Sequence, residues 1–256
     1  MKLILFICHK LKKILFSILT IFKGKNYYCP CCNKYTYSFK KFKLIVEDGP
    51  RGHDIHRFEN VEQKVLCPYC NSYPRHRILA SWAEKNLDIL RNSKILYFAP
   101  EKSMMRWMKR NHIVITTADL YKKADLKLDI THIDLPDNSY DMVFCLHVLE
   151  HVSDYKRALT ELHRILTNNG LLIIAFPIDE TYNTVYEEPA GTYSERIKKF
   201  GQGDHLRIFG RDSLDLLASY GFSVSIINLE QMPDNIMPIV APSNYDSNKI
   251  FLCQKV

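Results

Sequence analysis

The chain has 256 residues, 46% of them hydrophobic and 25% charged, a balance that excludes a disordered or fibrous polymer. That length holds one large α/β domain plus a small module. The net charge of +7 is unevenly placed: the first fifty residues carry ten lysines against only Glu47 and Asp48. This excludes a uniformly basic protein and points to a basic N-terminal region. Such a region attracts nucleic acid or anionic lipid, or is simply solvated, and charge alone does not separate these.

Residues 1–22, MKLILFICHKLKKILFSILTIF, are apolar but broken at the centre by Lys10, Lys12 and Lys13. They therefore lack the uninterrupted run of about 18–20 apolar residues that crosses a bilayer. A small-residue cleavage site is also missing. At about 100° per residue, Ile4, Ile7, Leu11, Ile14, Leu15, Ile18, Leu19 and Phe22 share one helical face. Lys2, His9, Lys10, Lys12, Lys13, Ser17, Thr20 and Lys23 share the other, while Leu5, Phe6 and Phe16 break the pattern. A basic amphipathic helix over residues 1–24 suits the surface of an anionic membrane, with packing onto the protein's own body as the alternative.

Four of the eight cysteines form two C-P-x-C units, Cys29–Cys32 and Cys67–Cys70, separated by 34 residues. Paired knuckles argue for reduced thiolates on a metal rather than disulfides, and so for the cytoplasm. The expected ligands are Cys29, Cys32, Cys67 and Cys70. Four thiolates leave no open position, so the ion is structural, with zinc the first choice and iron the second. Cys31, His53 and His56 are alternative ligands. Short strands near 36–38, 44–46 and 61–66 would complete a zinc ribbon over residues 25–75. Such a ribbon binds nucleic acid or a partner, or serves only to fold its module, and the small size favours folding.

A polar link, NSYPRHR at 71–77, leads into a helix over about 78–90 and a large domain over 76–256. Arg75, His76 and Arg77 face either a ligand cleft or solvent. Apolar runs predict strands at 94–98, 113–117 and 125–129, ending respectively at Ala99-Pro100-Glu101, Ala118-Asp119-Leu120 and Asp129-Ile130. From Asp129 to Pro177 the pattern becomes strand, helix and strand. A run at 142–146 follows the turn formers at 136–139, and a helix marked by Ala158, Leu162 and Ile165 stops at Asn168-Asn169-Gly170. A second run at 171–176 ends at a proline. This is a βαβ crossover, which places ligands at the carboxyl ends of its strands.

The wording of that stretch resembles the class I S-adenosylmethionine-dependent methyltransferases, in their type 11-like branch. The matching residues are Asp129, Leu135-Pro136, Ser139-Tyr140-Asp141, His147, Leu149-Glu150-His151-Val152, Glu161, Arg164-Ile165-Leu166 and Gly170. The resemblance implies an α/β fold with a seven-stranded, doubly wound sheet, preceded here by the zinc ribbon and the amphipathic helix. It also implies S-adenosylmethionine as cofactor. By resemblance, Glu101 contacts the methionine ammonium beside a turn made by Ala99 and Pro100. Asp119, next to Leu120, takes the ribose hydroxyls or merely caps a turn. Asp129 and Ile130 clamp the adenine, with Asp134 as runner-up, and His147 lines the cleft floor near the sulfonium. Asp141 ties a strand start, while Glu150 and His151 cap the next helix. The family's glycine-rich turn is absent at 99–102, where Ala-Pro-Glu-Lys stands instead; that turn is similar to a subgroup with zinc ribbons found beside bacterial polysaccharide genes.

Methyl transfer from a sulfonium requires alignment of the acceptor and, for a hydroxyl, removal of a proton. The loop FGQGDHLRIFG at 200–210 collects candidates: His205 as general base, Asp204 to orient it, and Arg207 to bind an acidic group on the acceptor. Its glycines would give it freedom, and a loop that merely closes over the sheet is the alternative. The expected function is O-methylation of a saccharide, lipid-linked glycan or other small-molecule acceptor in the cytoplasm, peripheral on the inner membrane face. A nucleic-acid methyltransferase and a non-catalytic scaffold with a degenerate cofactor site are the two alternatives. The chain shows no aromatic-basic stacking platform for nucleic acid.

Overall fold

The computed structural model describes residues 2–41, 64–188, 191–228, 232–236 and 245–256. His53, His56 and the strand expected at 44–46 lie outside the described residues.

The chain opens with α1 (Lys2–Lys23), which stops at Gly24, a residue in the left-handed region with φ 92°. The helix docks through Phe16, Ser17 and Thr20. Phe16 stacks on Tyr37 at 5.4 Å, the Ser17 hydroxyl donates to Tyr69 Oη, and buried Thr20 accepts from the Tyr37 amide. The residue that broke the amphipathic pattern is thus one that packs. The predicted apolar stripe points the other way: its Leu11, Ile14, Leu15, Ile18 and Phe22 are exposed and Leu19 is half-buried, and Ile21, outside the predicted stripe, is exposed beside them. Among the described residues, no helix is long and apolar enough to cross a membrane.

Two antiparallel pairs follow. β1 (Tyr27–Cys29) pairs with β2 (Lys34–Thr36), and β3 (Lys40–Lys41) pairs with β4 (Lys64–Leu66). A knuckle closes each pair and ends in an asparagine at positive φ, Asn33 at 53° and Asn71 at 58°. Asparagine tolerates that conformation better than other side chains, so C-P-x-C-N is one turn design used twice. The cysteine module does not stand apart. Cys29, Cys31, Phe39, Cys67 and Cys70 share one buried cluster with Ile78, Leu79, Met104 and Trp107 of the large domain.

The large domain runs α2 (Pro74–Lys85), α3 (Leu87–Asn92), β5 (Ile95–Phe98), α4 (Lys102–Arg110), β6 (Ile115–Ala118), β7 (Tyr140–Leu146), α5 (Tyr155–Ile165) and β8 (Leu166–Ala175). It continues with β9 (Ile178–Asp179), β10 (Tyr186–Glu187), α6 (Tyr193–Phe200), β11 (Arg207–Ile208), α7 (Ser213–Ala218), β12 (Phe222–Ile226), β13 (Tyr245–Asp246) and β14 (Phe251–Lys255). Six strands form the main sheet in the order β12-β14-β8-β7-β5-β6. β5 to β8 run parallel, and β12 and β14 pair antiparallel at one edge. Along β5, Ile95 and Tyr97 bury against α2 and α4, while Leu96 and Phe98 bury against α5 and α7. Both faces are covered, as a parallel sheet requires.

Among the described residues the main sheet has six strands where seven are expected. Residues 125–129, expected as a strand, make one isolated bridge to the sheet, Ala118 with Leu126, and a local one, Asp129 with His132. The Asp125 carboxylate accepts from both the Thr117 amide and its hydroxyl, at 2.9 and 2.7 Å. A side chain takes the place of a strand carbonyl there and ends the ladder after one pair. A second correction concerns α5, which ends at Ile165 rather than at 168–170. Ser139 donates to the Ile165 carbonyl at 2.8 Å and Leu166 already pairs with Tyr140, so the chain turns directly into β8.

Three motif residues hold the crossover together. Asp141 accepts from the Lys94 amide at 2.8 Å and so ties β7 to the start of β5, as expected. Buried Glu161 accepts from the Ile133 amide and from Arg164, whose guanidinium also donates to the carbonyls of Ile133 and Leu135. That pair fixes the loop before β7 onto α5.

Candidate functional site

A cavity of about 530 Å³ opens at the carboxyl ends of β5, β6 and β7. This is where an open parallel sheet puts its ligand, because the chain leaves the sheet there and splits the loops apart. Two neighbouring strands end in strained backbone at its floor: Ala99 has φ 45° and His147 has φ 53°. Each still donates its amide to the adjacent strand, Ala99 to Ala118 and His147 to Ala175, both at 2.8 Å. The chain therefore turns sharply within a single residue. Holding a residue with a Cβ in this region costs about 1–2 kcal/mol, and such strain collects at ligand sites. Replacing Ala99 with glycine should relieve it and raise stability by about 1 kcal/mol. Urea unfolding of Ala99→Gly checks this; an unchanged or lower midpoint would contradict the strain.

Of the residues expected to hold a cofactor, the cavity wall includes Ala99, Asp119, Leu120, Asp129, Ile130 and His147. Asp119, at the end of β6, spends Oδ1 on the amides of Tyr121 and Lys122 at 2.8 and 2.7 Å. Among the described residues its Oδ2 makes no hydrogen bond, so the turn-forming and ligand-binding roles fall on different oxygens. Exposed Asp129 likewise uses Oδ1 on the Thr131 amide and hydroxyl. Ile130 is buried and supplies an apolar wall. The His147 imidazole is held between the Ser247 carbonyl at 3.0 Å and Glu150 Oε1 at 3.1 Å.

Pro100 and Glu101 are not among the wall residues. Glu101 sits at the N-terminus of α4 and is claimed by the first turn of α2: Arg75 Nη2 lies 2.8 Å from Oε1 and His76 Nε2 lies 2.7 Å from Oε2. Burial would raise the Glu101 pKa, but Arg75 and His76 outweigh it and hold the carboxyl well below the usual range. His76 accepts the Tyr73 amide on Nδ1, which leaves Nε2 to carry the proton toward Glu101. Burial lowers its pKa, in keeping with a neutral ring. Arg77 is fully buried and donates to the carbonyls of Val65, Ser72 and Ile236, pinning the cysteine module to the domain. The link is neither a solvated helix start nor a row of cleft residues.

The loop at 200–210 is corrected most. Asp204 does not orient His205: its carboxylate lies 3.3 Å from His151 Nδ1, and of the three candidates Asp204, His205 and Arg207 only Asp204 is on the cavity wall, beside Leu206. His205 is 1% exposed, donates Nδ1–H to the Phe200 carbonyl at 3.1 Å, and burial depresses its pKa to about 4. Its ring meets the ring of His151 edge-on at 4.7 Å, and His205 itself is not a wall residue. Arg207 is also buried, and its bonds are internal, to the carbonyls of Leu149, Val152 and Ser153 and to Glu187. The glycines mark tight contacts rather than freedom. A Cβ on Gly203 would meet the Tyr193 ring at 2.2 Å, and one on Gly210 the Thr184 carbonyl oxygen at 2.5 Å.

The wall also contains His151 and Ser153, which the sequence reading had not assigned to a ligand. For His151, burial works against a charge, but Asp204 and Glu150 outweigh it and raise its pKa. Its signal was present in the Glu150-His151 pair just past a strand end, followed by a distant histidine at 205.

The cysteine sulfurs gather as expected. One Sγ from each of Cys29, Cys32, Cys67 and Cys70 lies within 4.8 Å of the others, with Cys29 and Cys70 at 3.6 Å and Cys32 and Cys67 at 3.7 Å. Sulfurs at about 2.3 Å from a tetrahedral zinc are spaced by roughly 3.8 Å, so the donor set and its spacing fit that ion. Cys31 stands outside this group and is buried.

Residues 100–174, from the first turn of the sheet into β8, match the family model described as "Methyltransferase domain". An uncharacterised protein of Methanocaldococcus jannaschii is 45% identical over 53 residues, which are 21% of this chain and 23% of that protein. The chain thus spans less than a quarter of that curated relative. Among solved structures, a SAM-dependent methyltransferase of Thermotoga maritima aligns with TM-score 0.44 and 18% identity, over 71% of this chain and 92% of its own. A SAM dependent methyltransferase of Archaeoglobus fulgidus aligns with TM-score 0.45 and 13% identity, over 70% and 94%.

Proposed function

We propose that this protein is an S-adenosylmethionine-dependent O-methyltransferase that modifies a saccharide or lipid-linked glycan at an anionic membrane surface, and that its cysteine module holds a structural zinc. The cavity at the ends of β5, β6 and β7 carries the reading, with Ala99, Asp119, Ile130 and His147 on one wall of about 530 Å³. In that wall Asp119 Oδ2 accepts ribose hydroxyls, Ile130 covers the adenine and Asp129 takes its amino group. The bound cofactor supplies an electrophilic methyl group. The residues around it align the acceptor and exclude water.

Charge-assisted hydrogen bonds of this kind contribute about 1.5–3 kcal/mol. Asp119→Asn, which can keep the turn through its amide oxygen, is therefore expected to weaken S-adenosylhomocysteine binding by roughly 10–100-fold. Calorimetric titration reads this directly. Unchanged affinity would remove Asp119 from the cofactor site. The acceptor class is tested by a labelled methyl-transfer screen against glycolipid extract and RNA. Label in glycolipid supports the proposal, whereas label in RNA alone overturns it.

The membrane half of the proposal rests on the exposed stripe of α1, which lies opposite its docked Phe16–Thr20 face. Lys12, Lys13 and Lys23 fall on the face opposite that stripe, Lys23 over the Tyr37 ring at 5.5 Å, so the exposed apolar side chains carry the contact with lipid. Leu15→Asp with Ile18→Asp leaves the docked face intact and removes two side chains worth about 1.5–3 kcal/mol each on burial. Co-sedimentation with anionic vesicles should fall at least tenfold; equal recovery would show that the stripe does not touch lipid.

A further inference from the structure

Next to the cavity, but not used by the cofactor reading, stand Glu150, His151 and His205. One ligand atom from each lies within 4.8 Å of the other two. Glu150 is 0% exposed, and its Oε2 has no hydrogen-bond partner. A buried carboxylate oxygen left unpaired among the described residues is costly, and a Glu150 carboxylate oxygen lies within 4.8 Å of a ring nitrogen of each imidazole.

The outer contacts are those of a ligand set. His205 gives its Nδ1–H to the Phe200 carbonyl, which leaves Nε2 with its lone pair. His151 turns Nδ1 toward the carbonyl and carboxylate of Asp204, both at 3.3 Å, and likewise leaves Nε2. Glu150 Oε1 is fixed by His147, so Oε2 is the free oxygen. Metal-bound histidines anchor the second ring nitrogen on a carbonyl or carboxylate in just this manner, which fixes ring and tautomer. Two different chain segments are also clamped here: Arg207 binds the carbonyls of Leu149 and Val152, and the Leu206 amide donates to the Glu150 carbonyl at 2.8 Å.

We propose that Glu150, His151 and His205 form a second metal site, for a first-row divalent transition ion, with its open positions toward the cavity. Two imidazoles and one carboxylate suit such ions, and three protein ligands leave room for more. His151 and Asp204 both belong to the cavity wall, so an ion here borders the space left for the acceptor. Donor atoms about 2.1 Å from one ion lie about 3–3.5 Å apart, so small side-chain rotations close the set. Its role in catalysis rests on the methyl-transfer reading. A hydroxyl oxygen of the acceptor takes an open position, where the ion lowers its proton affinity. The hydroxyl proton leaves to bulk water, the C–O bond forms as the S–C bond breaks, and the sulfonium becomes a neutral thioether.

The test is a Mn2+ titration of the zinc-loaded full chain, followed by the loss of the free Mn2+ paramagnetic signal. Manganese is chosen because soft thiolates disfavour it, so the cysteine module does not compete. One Mn2+ per chain is expected, weakened tenfold or more in His151→Ala and in His205→Asn. Circular dichroism and melting of each variant establish that it is folded; His151, the more exposed, carries the test if His205→Asn is not. No Mn2+ binding by the parent protein, or equal binding by folded His151→Ala, overturns the site. S-adenosylhomocysteine is titrated in parallel. If it binds and Mn2+ does not, the metal site alone falls; if Mn2+ binds and it does not, the cofactor reading falls.

Discussion

Replacing Cys67 with alanine is expected to abolish zinc retention and to unfold much more than the cysteine module. Four sulfurs with edges of 3.6 and 3.7 Å form a closed set, and losing one opens it. Structural zinc sites bind with apparent free energies of roughly 10–16 kcal/mol at neutral pH. Whole domains are stable by only about 5–15 kcal/mol. The module's buried cysteines pack in the same cluster as Trp107 and Met104, and Arg110 of α4 donates to the carbonyls of Pro30 and Cys31 at 2.7 and 2.9 Å. Unfolding of the knuckles therefore strips a face of the large domain. Cys67→Ala should yield aggregated protein or lower the melting midpoint by more than about 10 °C, since each kcal/mol is worth about 2–4 °C in a domain of this size. Elemental analysis and a thermal melt check both halves. A zinc-free variant melting with the parent protein would show that the module is an appendage.

Replacing Arg207 with alanine is expected to cost about 2–4 kcal/mol, because backbone carbonyls that it holds lose a charged donor at about 1–3 kcal/mol each. The guanidinium is 1% exposed and holds the carbonyls of Leu149, Val152 and Ser153 while pairing with Glu187 at 2.6 Å. It also lies over the Tyr155 ring at 4.9 Å. Without it, the buried Leu149 carbonyl and the partly buried Val152 and Ser153 carbonyls lose this donor, and the turn that presents His151 to the cavity loosens. Lysine does not rescue this, because a single ammonium cannot reproduce the planar fork. Urea unfolding separates this staple from the substrate contact first expected of Arg207. A normal midpoint with lost turnover would restore the substrate role.

The parts of the fold that could be read from the sequence are those set by local chemistry. Turn formers at 136–139, the apolar run of β7 and the spacing of Ala158, Leu162 and Ile165 are short-range signals. So is the repeated C-P-x-C-N turn. The tie made by Asp141 and the places of Asp119, Asp129 and His147 on the cavity wall follow from position at strand ends. What remained hidden depends on partners far along the chain. Asp125 ends the sheet edge because Thr117 faces it. Glu101 is occupied because Arg75 and His76 arrive from another element. His205 was read beside its neighbour Asp204, yet backbone direction sends the two side chains to different places. Asp204 meets His151, more than fifty residues earlier, and His205 turns inward to Phe200. The Glu150-His151 pair was read as a helix cap; its neighbourhood with His205 is a product of the fold alone.

The central claim, that the cavity at the ends of β5, β6 and β7 takes S-adenosylmethionine, is tested most directly by calorimetric titration of the full zinc-loaded chain with that compound. The account predicts one site per chain, weakened roughly 10–100-fold by Asp119→Asn. The absence of binding by the folded parent protein would contradict it.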